Sequence, residues 1–277
     1  AAFLRGSQVS QFFEPLNDAQ EIERDTESEP TAPAPFILWS GMDDMPPNLL
    51  ADGYVLPSNT DVFEVLSDSK KFNATPIILG SNKHETKLFT LMNPWFTHRI
   101  FGLPVRLKNR DDYFQSVKYG SLYWKALAVD EIASVLTDSQ QPGVYAYRFD
   151  WGNLSNFITL DLQDLLGGAH ALELPFVFGN LDLLETALVL ADQEAARNLS
   201  DSMMSYWAEF AHTGNPSTGR DGELTLWKPW SNAQEEERQI IFDEADYGGV
   251  RLSADRVNFD AIVNELIAMM NYNRYYC

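Results

Sequence analysis

Three short apolar runs constrain the fold of this 277-residue chain more than any other feature. They are Pro76-Ile77-Ile78-Leu79-Gly80, Val144-Tyr145-Ala146-Tyr147-Arg148-Phe149 and Gln239-Ile240-Ile241-Phe242. Unbroken apolarity over so few residues suits a strand covered on both faces, and such strands belong to parallel sheets joined by helical crossovers. Helical patterns do lie around them. Residues 111–136 carry Phe114, Val117, Leu122, Leu127, Ile132 and Val135, and Asp61–Leu66 reads as a short helix. A further helix, capped by Asn198 or Ser200, aligns Leu199, Met203, Trp207, Phe210 and Ala211 and stops at Gly214, with Pro216 beyond. Another, capped by Asn258, sets Phe259, Ile262, Val263, Leu266, Ile267 and Met270 on one face.

The expected fold class is therefore α/β, with a mainly parallel central sheet flanked by helices. Three strands are few for a chain of this class. A parallel half-sheet standing alone exposes an unpaired apolar edge, which invites aggregation. The sheet is thus expected to be incomplete here and to be finished by another polypeptide segment. Residues 1–15 read as a short helix, and the acidic, Pro-rich stretch 16–35 as a flexible loop.

Composition excludes several function classes. Asp and Glu number 40 against 20 Lys and Arg, a net charge of −20. That excess repels nucleic-acid phosphates, so no nucleic-acid partner is expected. It would draw cationic substrates, but solubility or salt adaptation explains it as simply. No apolar run reaches the ~20 residues of a membrane span. Cys277 is the single cysteine, so neither an intrachain disulfide nor a cysteine metal site is expected. His84-Glu85 begins like a zinc-protease motif, but Leu88 stands where the second histidine belongs. His98 and His212 are assigned to structure or surface. Three sequons, at Asn73, Asn153 and Asn198, are short enough to arise by chance.

Two turns carry the chemistry. Gly80-Ser81-Asn82-Lys83-His84-Glu85 follows the first strand directly, where loops of open α/β sheets form the ligand crevice. Gly167-Gly168-Ala169-His170 has small residues that let the backbone turn tightly and bring an imidazole to the sheet edge. A carboxylate in the first turn can orient that histidine. Each turn alone has a bland reading, as a surface carboxylate and a loop histidine without a task.

Together with their surroundings, these segments resemble the type-B carboxylesterase and cholinesterase-like family of α/β-hydrolases. Asp52 to Pro57 is similar to the segment before the acid strand, and Pro76 to Glu85 to the segment ending in the catalytic acid. Thr86 departs from the glycine that usually follows. Gly168 to Gly179 is similar to the catalytic-histidine segment, and Met204 to Pro216 to a characteristic family helix, with Trp227-Lys228-Pro229-Trp230 after it. The resemblance spans residues 36–243, and the order acid then histidine is that of α/β-hydrolases.

The resemblance implies a serine carboxylesterase using a Ser-His-Glu triad, with Glu85 as acid, His170 as base and Glu173 as a supporting carboxylate. Phe89, Trp95, Phe96 and Phe101 follow the acid turn and are candidates for lining the ester pocket. No G-x-S-x-G elbow occurs in the chain. The serine and the oxyanion loop are expected in an N-terminal half of the same esterase, so residues 1–277 read as the C-terminal half of one α/β-hydrolase domain. That half would be the partner, a small ester the substrate, and no cofactor is required. The family also includes non-catalytic adhesion proteins, which form the alternative reading. The lack of disulfide potential resembles the family's bacterial branch, cytoplasmic or exported.

Overall fold

The structure, a computed structural model, describes residues 53–54, 61–156, 161–182, 184 and 190–265. The expected helix of residues 1–15, the loop of 16–35, most of 52–57, and Leu266, Ile267 and Met270 lie outside the described residues.

The three apolar runs form the spine of a four-stranded sheet. The strands, in chain order with the short ones between them, are β1 (Ile77–Asn82), β2 (Thr97–Ile100), β3 (Leu103–Leu107), β4 (Val144–Phe149), β5 (Gln239–Phe242) and β6 (Arg251–Ser253). The sheet order is β1-β4-β5-β6; β1, β4 and β5 run parallel and β6 closes one edge antiparallel. β2 and β3 form a separate antiparallel hairpin. The helices are α1 (Val62–Leu66), α2 (Lys87–Met92), α3 (Arg110–Lys125), α4 (Glu131–Asp138), α5 (Leu162–Leu165), α6 (Leu174–Val177) and α7 (Gln193–Thr213).

Both faces of the sheet are covered, as the alternation of side chains along a strand requires. On one face Tyr145 and Phe149 of β4 and Ile240 and Phe242 of β5 pack with Leu199, Met203 and Tyr206 of α7 and with Trp227. On the other, Val144 and Ala146 meet Val129, Ala133, Leu136 and Trp230, with Leu66 of α1 and Ile77 and Leu79 of β1 against them. Odd residues of β4 thus face one layer and its first even ones the other.

The long helical region expected over 111–136 is interrupted. α3 starts where the Asn109 side chain accepts hydrogen bonds from Asp111 N and Asp112 N, and then one π-turn, Ala126–Asp130, precedes α4. The turn closes a buried ion pair: Lys125 Nζ lies 2.6 and 2.7 Å from the two carboxylate oxygens of Asp130. Asp130 Oδ2 also accepts Val257 N at 2.7 Å, which ties the segment after β6 to this corner.

The start expected for α7 at Asn198 or Ser200 is corrected by about two turns. Asp192 caps the helix, its side chain accepting Ala195 N, and Leu199 and Ser200 lie inside it. Its end falls at Gly214 in the left-handed conformation. The Asn258 side chain accepts Ala261 N at 3.0 Å, as a cap for the helix that follows.

Candidate active site

Parallel pairing of β1 with β4, in the register Ile77↔Val144 to Asn82↔Phe149, brings the carboxyl ends of both strands to one edge of the sheet. The acid turn leaves β1 there. The chain leaving β4 continues through Trp151 and α5 and returns to the same edge with Gly167-Gly168-Ala169-His170. A backbone bridge, His84↔Ala169, stitches the two turns together, with His84 N donating to Gly168 O at 3.0 Å. Gly168 has φ +64, a left-handed conformation that side chains disfavour, and a Cβ there would meet His84 Nδ1 at 3.2 Å.

Glu85 and His170, eighty-five residues apart, meet in this edge: His170 Nδ1 lies 2.7 Å from Glu85 Oε2. The carboxylate is buried, with its side chain 5% exposed, whereas the imidazole is 40% exposed. The other carboxylate oxygen, Oε1, accepts Asn82 N at 2.6 Å. Both oxygens are therefore committed, one to backbone and one to the histidine, and the carboxylate cannot rotate freely. The hydrogen bond to Glu85 holds the His170 pKa above the ordinary imidazole value, against the opposing effect of burial. With Nδ1–H donating to Glu85, Nε2 carries the lone pair and is free to act as a base.

Asn82 does a second task that sequence reading did not assign. Its Nδ2 donates to Ala169 O at 2.6 Å, next to His170, and to Glu173 Oε2. One buried side chain thus links the acid strand, the histidine turn and Glu173, the expected supporting carboxylate. Its only advance signal was its place in the matched acid segment. Two further groups grip the loop before His170. His84 Nδ1 lies 2.7 Å from Gly167 O, and Lys87 Nζ donates to Gln163 O at 3.0 Å. Burial pushes the His84 imidazole down to about 4 and the Lys87 ammonium down to about 8.

Of the aromatic pocket candidates, Phe89 is at the site, its ring centroid 5.6 Å from that of His170. The others lie elsewhere. Phe96 is buried in a cluster with Leu91, Tyr113 and Val117, with Trp95 packed against it. Phe101 is fully exposed at the β2–β3 turn, where it has φ +50. Trp95 and Phe96 thus pack in a core cluster and Phe101 stands at a hairpin tip, because the chain turns away into β2 after α2. Trp124, from the end of α3, has its ring centroid 5.1 Å from that of His170. His98 and His212 are exposed. Among the described residues no cluster of His, Cys, Asp or Glu is arranged to hold a metal ion, and no helix is long and apolar enough to cross a membrane.

Comparison with known proteins points one way. A family model described as "Carboxylesterase family" matches residues 105–246, just over half of the chain. Para-nitrobenzyl esterase of Bacillus subtilis is 31% identical over 186 residues, covering 62% of this chain and 34% of that protein. Acetylcholinesterase of Electrophorus electricus is 37% identical over 92 residues, 33% of this chain and 13% of the relative. The chain thus spans about a third of the length of the first of these relatives and less of the second. The crystal structure of Aspergillus niger EstA shares the fold, with a TM-score of 0.50 at 16% identity over 78% of this chain and 43% of that one. This chain is a member of the type-B carboxylesterase family.

Proposed function

We propose that this chain is the acid- and histidine-bearing part of a serine carboxylesterase that hydrolyses carboxylic esters, its serine supplied by an N-terminal portion of the same protein. The observation that carries this reading is the 2.7 Å contact of Glu85 Oε2 with His170 Nδ1 at the carboxyl edge of a parallel sheet, with the imidazole partly open. A buried carboxylate fixed by Asn82 N, aimed at a half-exposed imidazole, has no use in adhesion and a direct use in proton transfer.

The chemistry follows in two steps. His170 Nε2 takes the proton of the serine hydroxyl as its oxygen bonds the ester carbonyl carbon; Glu85 stabilises the imidazolium that forms. The proton then passes from Nε2 to the departing alkoxide as the carbon–oxygen bond breaks, leaving an acyl-serine. Water, deprotonated by the same imidazole, bonds the acyl carbon, and the imidazolium returns that proton to the serine oxygen as its bond to the acyl carbon breaks, releasing the acid and the free serine. The oxyanion donors, worth about 3–4 kcal/mol each in related chemistry, come from the N-terminal portion. The Phe89 ring, with its centroid 5.6 Å from that of His170, is read as part of the lining of the ester pocket.

The partner is further supported by the sheet. Among the described residues β1 pairs only with β4, and Ile77, Ile78 and Leu79 are half-buried on that edge. Residues 1–277 are accordingly read as the C-terminal part of a single α/β-hydrolase domain whose remaining strands continue from β1.

The test is hydrolysis of p-nitrophenyl acetate by this chain with and without the serine-bearing portion. Turnover is expected only when both are present, and His170→Ala is expected to abolish it. Full activity after that substitution would overturn the reading.

A further inference from the structure

Lys87 is a buried cation that the acyl-transfer steps do not use. It opens α2, just beyond Glu85 and Thr86, and is 3% exposed. Among the described residues its ammonium touches no carboxylate. Its partners are backbone oxygens of the loop that leads to His170: Gln163 O at 3.0 Å and Gly167 O at 3.5 Å. The Phe114 ring covers it from α3, with its centroid 5.8 Å from Nζ. Burying an ammonium against carbonyls alone is costly, and an apolar side chain would fill the space without that cost.

The same loop is gripped repeatedly from the acid segment. Ala169 O accepts Asn82 Nδ2, Gly168 O accepts His84 N, and Gly167 O accepts both His84 Nδ1 and Lys87 Nζ. Lys87 holds the far end of this row, and Tyr113 of α3 adds its hydroxyl to Leu165 O at 2.9 Å. The acid segment is itself fixed from behind. Thr86 Oγ1 donates to Val117 O at 3.2 Å, and Gly120 of α3 comes so close that an added Cβ would meet the Thr86 side chain at 2.9 Å. Glu85 and the loop bearing His170 are therefore tied through one piece. All of these contacts lie inside this chain, so they stand whatever the remaining portion covers.

Building on the ester-hydrolase reading, we propose that Lys87 is a positioning residue: its charged grip on Gln163 O and Gly167 O holds the loop so that His170 Nδ1 stays in line with Glu85 Oε2. It acts through the backbone, and a charged donor holds a carbonyl about twice as strongly as a neutral one. A loop that slackens moves the imidazole, and a shift of about 1 Å in a catalytic group can cost about 10²-fold in rate. Burial brings the Lys87 ammonium down to about 8, so its proton is lost within the range where ester hydrolysis is readily followed. Of the groups facing it, Asp161 and Asp164 at α5 favour the charged form and Lys83 opposes it. His84 is neutral there because burial holds it at about 4, Tyr113 keeps its proton because burial raises it, and Arg110 is paired with Asp164.

The experiment uses the complete enzyme, including its serine-bearing portion. It follows p-nitrophenyl acetate hydrolysis from about pH 6 to about pH 10, with urea unfolding of each variant alongside. Wild-type kcat is expected to fall as pH rises through about 8. Lys87→Arg stays charged throughout and should lack that fall. Lys87→Met should lower kcat about tenfold with KM unchanged, and it too should lack the fall. A purely structural lysine would alter unfolding and leave kcat per folded molecule and the pH profile as they are. Unchanged kcat per folded molecule in Lys87→Met, or the same profile above about pH 8 in wild type and Lys87→Arg, overturns this inference while leaving the hydrolase reading intact. Wild-type enzyme without turnover overturns both. Should Lys87→Met fail to fold, kcat of Lys87→Gln takes its place under the same criterion.

Discussion

The acid and histidine turns and the aromatic core beside them grow from the same strands, but different forces hold them. In the core, fully buried Trp227 packs on Tyr145, Tyr147, Tyr206, Trp207 and Phe242 with ring centroids 5.4–6.4 Å apart. That attraction is non-directional and shared among many contacts. In the turns, the geometry rests on a few polar atoms with one or two partners each, as Glu85 has Asn82 N and His170. Such contacts are strongly directional, and their loss is not made up by neighbours. The comparison teaches that substitutions in the core should cost stability and those in the turns chemistry.

His170→Ala should show the largest effect, a fall of about 10⁶-fold in kcat of the complete enzyme, with a stability change of about 1 kcal/mol or less by urea unfolding. A large loss of stability would break the distinction. Glu85→Gln should lower kcat by about 10⁴-fold, since an amide no longer favours the productive tautomer and imidazolium. It should also move the pH profile. His170 must be neutral to act as base, so the rate climbs as pH rises through its raised value; without Glu85 that limb shifts to lower pH. The sign for stability is opposite. Pairing of protonated His170 with Glu85 contributes fully below about pH 6.5 and fades as pH rises through the raised folded value.

In the core, Trp227→Ala should lower unfolding free energy by about 3–5 kcal/mol while kcat per folded molecule stays unchanged. Lys125→Met sharpens the comparison, because it removes a directional contact that serves no chemistry. It leaves Asp130 as an unpaired buried charge and should cost about 3–5 kcal/mol, again with kcat preserved. The smallest effect expected is that of Asn82→Ala. It keeps the backbone N–H on Glu85 but frees Ala169 O and Glu173, and should reduce kcat about tenfold with little change in KM.

Much of the frame was legible because its signals are local. β1, β4 and β5 fall on the three apolar runs, since burial on both faces demands apolar residues without a gap. Gly214 stops α7 because a left-handed residue is needed there. The start of α7 was misplaced because its first turn, Gln193 and Glu194 after Asp192, is exposed and adds nothing to the apolar stripe. The β2–β3 hairpin escaped notice for a related reason: it contains Pro104, its pairing is irregular between His98 and Arg99, and its tip uses Phe101 at positive φ. β6, three residues long, is too short to show a period.

By itself the sequence determined the three parallel strands β1, β4 and β5, where the chief helix ends, and that Glu85 and His170 are the acid and base candidates, because residue type and matched segments encode these locally. Only the tertiary structure decided what surrounds them. The register of β1 on β4 sets both turns at one edge, and Asn82 can be seen to bridge them only once they are adjacent. Likewise the docking of Thr86 against Gly120 brings Trp124 to the imidazole. These are contacts between residues distant in the chain, and no local periodicity carries a record of them.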